Sequence, residues 1–586
     1  MFILQIFMTM MNFLALFLLL SVTSVTSKNH SDFITIFEKS NGAETANYFQ
    51  VIDYYKDLAE TFPQVTIQTM GLTDSGKPLH IVTYNPEGLQ NYVDIRKNKS
   101  VLLINNGIHP GESDGIDASM MLFRDLATGK LNSPQNTVIA TIPIYNIGGS
   151  LNRNSTSRTN QNGPKEYGFR GNARNFDLNR DFIKSDTENA KSFAKIFHKI
   201  QPDVFIDNHV SNGADYQYIL THLFTQHNKM EGDIGKYINQ SMRPNLENKL
   251  KQKNWDITPY VNVFNSVPEK GFKQFMDYPR YSTGYTTLFN TIGMMVETHM
   301  LKPYKQRVEG TYELMVSMIE ILDAESNKIK NLRKGAFKKI YELEKYTLDW
   351  EVDEDKSSTL NFKGFQGSMI DSKVTNAQRL KYDRSKPFTK PVKYQNYFKP
   401  IVQISIPKAY IIPQGWHNVI NLLKLNSVEM SQIESDKIYD IESYEIVEFD
   451  TKKSPYEGHY LHSKTQVKAN QYKRKFKQGD YYIPTNQKAI RYLLETLEPQ
   501  APDSFFNWNY FDTILQQKEG FSPYVFEELA ENILQTNHKL AEAYKQKLEN
   551  DSKFKDSWYA QLDWIHKHSK YYEKAHKNYP VYRILK

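Results

Sequence analysis

The chain has 586 residues, 40% of them apolar and 24% charged, with a formal net charge of +7. At roughly 150 residues per domain this length holds two to four globular domains, and so small a charge, spread along the chain, excludes binding to nucleic acid by bulk electrostatics. Cysteine is absent, which excludes disulfides, a lipid anchor on an N-terminal cysteine and thiolate metal ligands; any metal site must be built from nitrogen and oxygen.

In chain order, residues 1–27 come first. An apolar core from Phe13 to Leu20 gives way to small residues up to Ser27, the pattern of a secretory signal peptide cleaved near Ser27–Lys28. Met1 to Leu20 carry no Lys or Arg, so the alternative is an uncleaved anchor. No later segment offers the apolar length of a membrane span. From about 45 to 330 strands and helices alternate. VLLIN (101–105), TVIATIPIYN (137–146), PDVFIDNHV (202–210) and TIGMMVETH (291–299) read as buried strands. GIDASMMLFRDLA reads as a helix with Ile116, Met120, Phe123 and Ala127 on one face. This alternation predicts an open α/β sheet. A signal peptide at 1–27, a catalytic domain at 28–335 and an accessory α+β region at 340–586 follow. Residues 330–400 read as charged and loop-like. YIIPQGWHNVINLLKLN (410–426) and YYIPTNQKAIRYLLETL (481–497) form a weak repeat of strand, Ile-Pro, spacer and helix, and 520–575 reads as helical.

Two readings compete for NNGIHPGESDG, residues 105–115. From Gly111 it is G-x-S-x-G, a serine nucleophile elbow in the required strand-to-helix context, but without an HGGG-like oxyanion segment upstream. From His109 it is H-x-x-E, a pair able to bind a metal. His109 and Glu112 lie just past the end of one predicted strand, His209 at the same end of another, and Glu297 emerges from a third. Ligand sites in open α/β sheets form outside those strand ends. Two imidazoles and one carboxylate, with a fourth position for water, make a catalytic zinc arrangement. Glu297 could act as the base on the attacking water.

HPGE, DLNRD, the isolated His209 and VET, in that order, resemble the zinc carboxypeptidase family, the carboxypeptidase A-like metallopeptidases, over about residues 45–325. The resemblance implies an open, mixed, mostly parallel twisted sheet with helices on both faces. It implies one Zn2+ per active site on His109, Glu112 and His209, and Glu297 as the proton shuttle. By the same similarity Asp177 orients His109, while Asn179 and Arg180 clamp the free C-terminal carboxylate of a peptide substrate. Arg170 is the preferred oxyanion arginine, with Arg174 and Arg158 as alternatives that otherwise read as solvated surface charges. Tyr281 is the preferred substrate-covering tyrosine, with Tyr285 behind it. His222 and His299 read as structural, His459 and His462 as surface histidines, and His566 and His568 as a wet helix face.

The function so implied is an exported (periplasmic or extracellular) zinc metallocarboxypeptidase that acts on peptides, with neither nucleic-acid partner nor membrane span after signal removal. A zinc amidase acting on cell-wall peptides, a serine hydrolase using GESDG and a non-catalytic binding protein are the alternatives.

Overall fold

A computed structural model describes residues 33–230 and 232–585. The signal-peptide expectation falls outside the described residues. The first half is organised by an eight-stranded sheet in the order β1-β2-β4-β3-β5-β9-β6-β7. Its strands are β1 (Val65–Leu72), β2 (Pro78–Tyr84), β3 (Ser100–Asn105), β4 (Thr137–Ile142), β5 (Val204–Ser211), β6 (Leu220–Phe224), β7 (Ile257–Pro259) and β9 (Ile292–His299); a two-residue strand, β8 (Phe272–Lys273), lies outside the sheet. The central neighbours β4, β3, β5 and β9 run parallel; at one side β2 is antiparallel to β4 and β1 to β2, and at the other β6 is antiparallel to β9 with β7 parallel to β6, so the sheet is mixed and mostly parallel. Strands β3, β4 and β5 are buried at every position, which is why they read as unbroken apolar runs rather than alternations.

Helices cover both faces. Side chains alternate along a strand: Phe205 of β5 packs edge-on against Phe193 of α3 (Glu188–Ile200), whereas Asn208 reaches Met315 of the long helix α5 (Tyr304–Glu342) on the other face. Beside α5 on that face lies α2 (Asp114–Ala127), buried at nearly every position because it packs against both the sheet and α5. Its first turn presses so close to β5 that a Cβ on Gly115 would stand 2.4 Å from the Asn208 Cβ. A buried ion pair ties the two helices together: Arg307 Nε donates to Asp114 Oδ2 at 2.9 Å, and its other nitrogens donate to the carbonyls of Asn162, Gly163, Met300 and Lys302.

Beyond Glu342, the end of α5, the expectation of a loop-like stretch is overturned. Strands β10 (Lys345–Val352), β11 (Ser358–Asp371), β12 (Gln378–Gln395) and β13 (Phe398–Ser405) fill it. The charged residues lie on the solvent faces of a long β11–β12 ribbon, and only Phe362, Val392 and Tyr394 among them enter a core, so the charges mask the period of two. The two repeat strands, β14 (Ala409–Ile412) and β18 (Tyr481–Pro484), pair antiparallel with Tyr410 opposite Ile483; helices follow each at His417–Leu425 and Ile490–Leu497. They belong to a six-stranded sheet with β15 (Ser431–Gln432), β16 (Lys437–Thr451), β17 (His462–Phe476) and β19 (Tyr582–Ile584). Residues 523–567 are helical. One hydrophobic core runs through both halves, from Phe33 to Val581.

Candidate metal centre

The chain leaves β3 through Asn106 and Gly107, whose φ of +64° is a left-handed conformation open to glycine at no steric cost. It then turns so that the Glu112 N–H donates to the His109 carbonyl at 2.8 Å, placing the two side chains together. His209 approaches from β5. Its register partner on the parallel neighbour β9 is Glu297, so the two project side by side from adjacent strands. His209 and Glu297 therefore sit inside their strands rather than beyond them.

His109, Glu112 and His209 are each 3% exposed. His109 Nδ1 stands 3.2 Å from Glu112 Oε1, and His209 Nδ1 3.2 Å from Glu112 Oε2. One donor atom from each lies within 4.8 Å of the others. Ligands about 2.1 Å from a tetrahedral zinc are separated by roughly 3.4 Å, so this donor set fits the ion. The opposite ring nitrogens are occupied: His109 Nε2 meets Asp177 Oδ1 at 2.9 Å, and His209 Nε2 meets Asp207 Oδ2 at 2.9 Å. Carboxylates behind both imidazoles direct Nδ1 toward the metal position. Asp207 is in turn held by Asn105 Nδ2 at 3.0 Å and by the Ser282 hydroxyl.

The charges follow from this packing. Burial works against the Glu112 carboxylate, yet His109 and Arg158 hold it well below its ordinary range. Burial likewise opposes charge on His209, and Asp207 and Glu112 overcome it, keeping the ring well above its usual value. Burial pushes Glu297 up to about 7, with Glu112 adding repulsion and His209 and Arg170 opposing the rise.

The three donors and Glu297 open onto a cavity of about 670 Å3, whose wall also carries Arg170, Asn179, Arg180 and Tyr281. Arg170 forks onto Asp177 Oδ2 with Nε and Nη2 at 3.0 and 2.8 Å, and its Nη1 lies 3.3 Å from His109 Nδ1. Asn179 accepts from the Ser282 N–H at 3.1 Å, and the Arg180 guanidinium lies over the Tyr281 ring at 4.6 Å. Tyr285 is away from the cavity, buried with its hydroxyl on Asn426 at 2.5 Å. Arg174 is exposed and packs on Phe176.

Several expectations are corrected. Arg158 is no solvated surface charge: its Nη1 donates to Glu112 Oε1 at 2.8 Å from within the cavity wall. His459 and His462 are not surface residues; His459 pairs with Asp186 at 2.7 Å and His462 with Asp512 at 3.1 Å. His566 is buried against Phe521 and Phe526, and only His568 is exposed. As read from sequence, His222 and His299 are structural, on Glu247 and Asp215. The Ser113 hydroxyl is buried and donates to the Pro110 carbonyl at 3.2 Å, which leaves the nucleophile-elbow reading without an accessible nucleophile. Sequence reading missed Asp207, although D-x-H within a strand places both side chains on one face. It also missed Tyr260, another residue of the cavity wall, for which the sequence holds no signal.

Comparison with known proteins agrees with this geometry. Residues 51–206 match the family model described as zinc carboxypeptidase, a span that holds His109, Glu112, Asp177, Asn179 and Arg180. Proteins named Carboxypeptidase 2 from Trichophyton rubrum and Trichophyton equinum are each 22% identical over 420 residues, 69% of this chain and 72% of theirs. Among solved structures, carboxypeptidase A from Helicoverpa armigera is 12% identical, covering 48% of this chain and 74% of its own, with a TM-score of 0.36. A metallo-carboxypeptidase from Burkholderia cenocepacia is 16% identical, over 46% of this chain and 68% of its own, with a TM-score of 0.34. The matched segment, residues 51–206, is similar to the zinc carboxypeptidase family and supplies the histidine–glutamate pair, while β5 brings the second imidazole.

Proposed function

We propose that the protein is a zinc-dependent metallocarboxypeptidase that removes residues from the C-terminal end of peptides. The observation that carries this reading is the convergence of two imidazole Nδ1 atoms on one buried carboxylate, at the floor of a cavity walled by Arg180 and Tyr281. The carboxypeptidase names of the Trichophyton relatives support it.

In this reading His109, Glu112 and His209 hold the ion. Bound zinc supplies Lewis acidity, drawing electron density from the scissile carbonyl and acidifying the attacking water. Glu297 takes the proton from that water and passes it to the departing amine; its burial, which strengthens its hold on a proton, favours the first of these transfers. Arg170 donates to the oxygen that gains negative charge. Arg180, whose planar guanidinium can grip two carboxylate oxygens, and Asn179 hold the peptide terminus, so that hydrolysis falls one residue in. Tyr281 closes over the bound residue. The apolar stretch at residues 13–20 supports export, and among the described residues no helix is long and apolar enough to cross a membrane.

The test is mass spectrometry of peptides incubated with purified protein. Stepwise loss of C-terminal residues, abolished by a chelator, restored by zinc and blocked by C-terminal amidation, is expected. Cleavage indifferent to chelator and amidation overturns the proposal. Intact peptides beside amino-acid release from muropeptides would transfer the site to cell-wall substrates.

A further inference from the structure

The segment that carries Asp177 meets the region after Glu342 directly. The tip between β16 and β17, residues 452–461, reaches back across the molecule to the segment that carries Asp177, Asn179 and Arg180. There the Glu457 carboxylate accepts the Asp177 N–H at 2.9 Å, a direct link between the accessory region and the residue behind His109. Glu457 holds a φ of +50°, rare for a residue with a side chain, and Gly458 follows at +79° against the Phe176 ring. Such a conformation persists only where its surroundings enforce it. The enforcing contacts straddle the two halves: His459 pairs with Asp186 at 2.7 Å, and Tyr456 stacks on Trp508 at 6.1 Å. The same tip touches the other substrate-facing segment, since Arg280, the neighbour of Tyr281, lies over Tyr456 and is bound to Asp503 at 2.8 Å.

We propose that Glu457 is a positioning residue for the metal centre, by which the accessory region sets the placement of Asp177 and, through it, the imidazole of His109. The logic is a chain of hydrogen bonds with a fixed order. Asp177 has two oxygens and several claims on them: Oδ1 meets His109 Nε2 and accepts the Asn179 N–H at 2.9 Å, while Oδ2 receives the Arg170 fork. Those bonds are simultaneous only if the Asp177 backbone is held at one orientation. Local contacts fix the preceding residues, with Asn172 Oδ1 accepting from Arg174 and Phe176. At Asp177 the backbone N–H is fixed by Glu457, from 280 positions downstream. Removing that acceptor leaves the peptide plane tethered on one side, by the Asn172 N–H on the Phe176 carbonyl at 2.9 Å, and loosens the carboxylate behind His109. Partners behind a metal-binding histidine are worth roughly 10–100-fold in metal affinity; one bond further out, roughly tenfold or a little less is expected.

The inference rests on the zinc carboxypeptidase reading, and three full-length variants separate the two. Glu457→Gln keeps an acceptor oxygen at the same reach, Glu457→Asp withdraws it by one methylene, and Glu457→Ala removes it. Zinc affinity is measured by competition with a chromophoric chelator, beside kcat and KM on a peptide substrate and the thermal midpoint. The expected result is that Ala and Asp weaken zinc binding by roughly three- to tenfold and lower kcat more than they raise KM, while Gln stays near wild type. Should Ala fail to fold, the comparison of Gln with Asp decides. Unchanged zinc affinity in the folded Asp or Ala variant overturns the proposal, as does a loss in Gln equal to that in Asp. A wild-type protein that neither binds zinc nor cleaves peptides overturns the underlying reading instead.

Discussion

Glu297 stands where burial and charge pull in opposite directions, and both consequences are measurable. As the proton shuttle it is needed for turnover but not for holding the ion, so Glu297→Gln should lower kcat by about 10^2–10^4-fold, the span of general acid–base catalysis, with zinc content unchanged by elemental analysis. Its raised value also has a sign for stability. In metal-free protein the folded state keeps the proton until about 7, whereas the unfolded chain releases it near 4.5. The unfolded state therefore binds fewer protons between those limits, and this residue costs stability as pH rises through them. Relative to Glu297→Gln, the wild-type protein in chelator should lose up to about 3 kcal/mol between pH 4.5 and 7, read by urea unfolding. In the zinc-loaded enzyme the acid limb of kcat/KM should lie below 7, because a nearby dication favours the carboxylate. Of the residues in this site, His109 and Glu112 were legible as polar residues in the turn just past a buried strand, and His209 and Glu297 as polar residues late within buried strands. Arg158 was not: it arrives on a loop without periodicity, and only the path of that loop brings it to Glu112.

At the level of elements, the ion pair between α2 and α5 carries more than its two charges. Arg307 satisfies Asp114 and four backbone carbonyls, with no solvent exposure. Arg307→Met removes the countercharge of the buried Asp114 carboxylate, which keeps the Thr298 hydroxyl, and a shared donor to those carbonyls, and should cost about 3–5 kcal/mol by denaturant titration. Because Asp114 lies two residues after Glu112, the same variant should also weaken zinc binding. Strand and helix placement was readable where burial is complete, as in β3, β4, β5, β9 and α2. The β11–β12 ribbon escaped because both faces are largely wet, and exposed strands written in Lys, Ser and Asp carry the composition of loops.

For the molecule as a whole, the boundary near residue 340 expected from composition coincides with the end of α5, yet the hydrophobic core crosses it without a break. Ile490, Leu493 and Phe505 pack in the same cluster as Phe289 and Ile340, so the first half alone would expose a broad apolar face. A chain ending at residue 342 should accumulate as insoluble protein or bind a hydrophobic dye strongly, while the full chain does not. No local pattern announces such a shared core, since composition changes where solvent exposure changes rather than where folding units end. The register of β5 against β9 has one more consequence. Because His209 and Glu297 face each other as register partners on adjacent hydrogen-bonded strands, the ladder fixes their spacing independently of the loops around them. Tolerance for different bound peptides then falls to the side chains of the cavity wall, Arg180 and Tyr281 among them, while the reactive pair keeps its geometry.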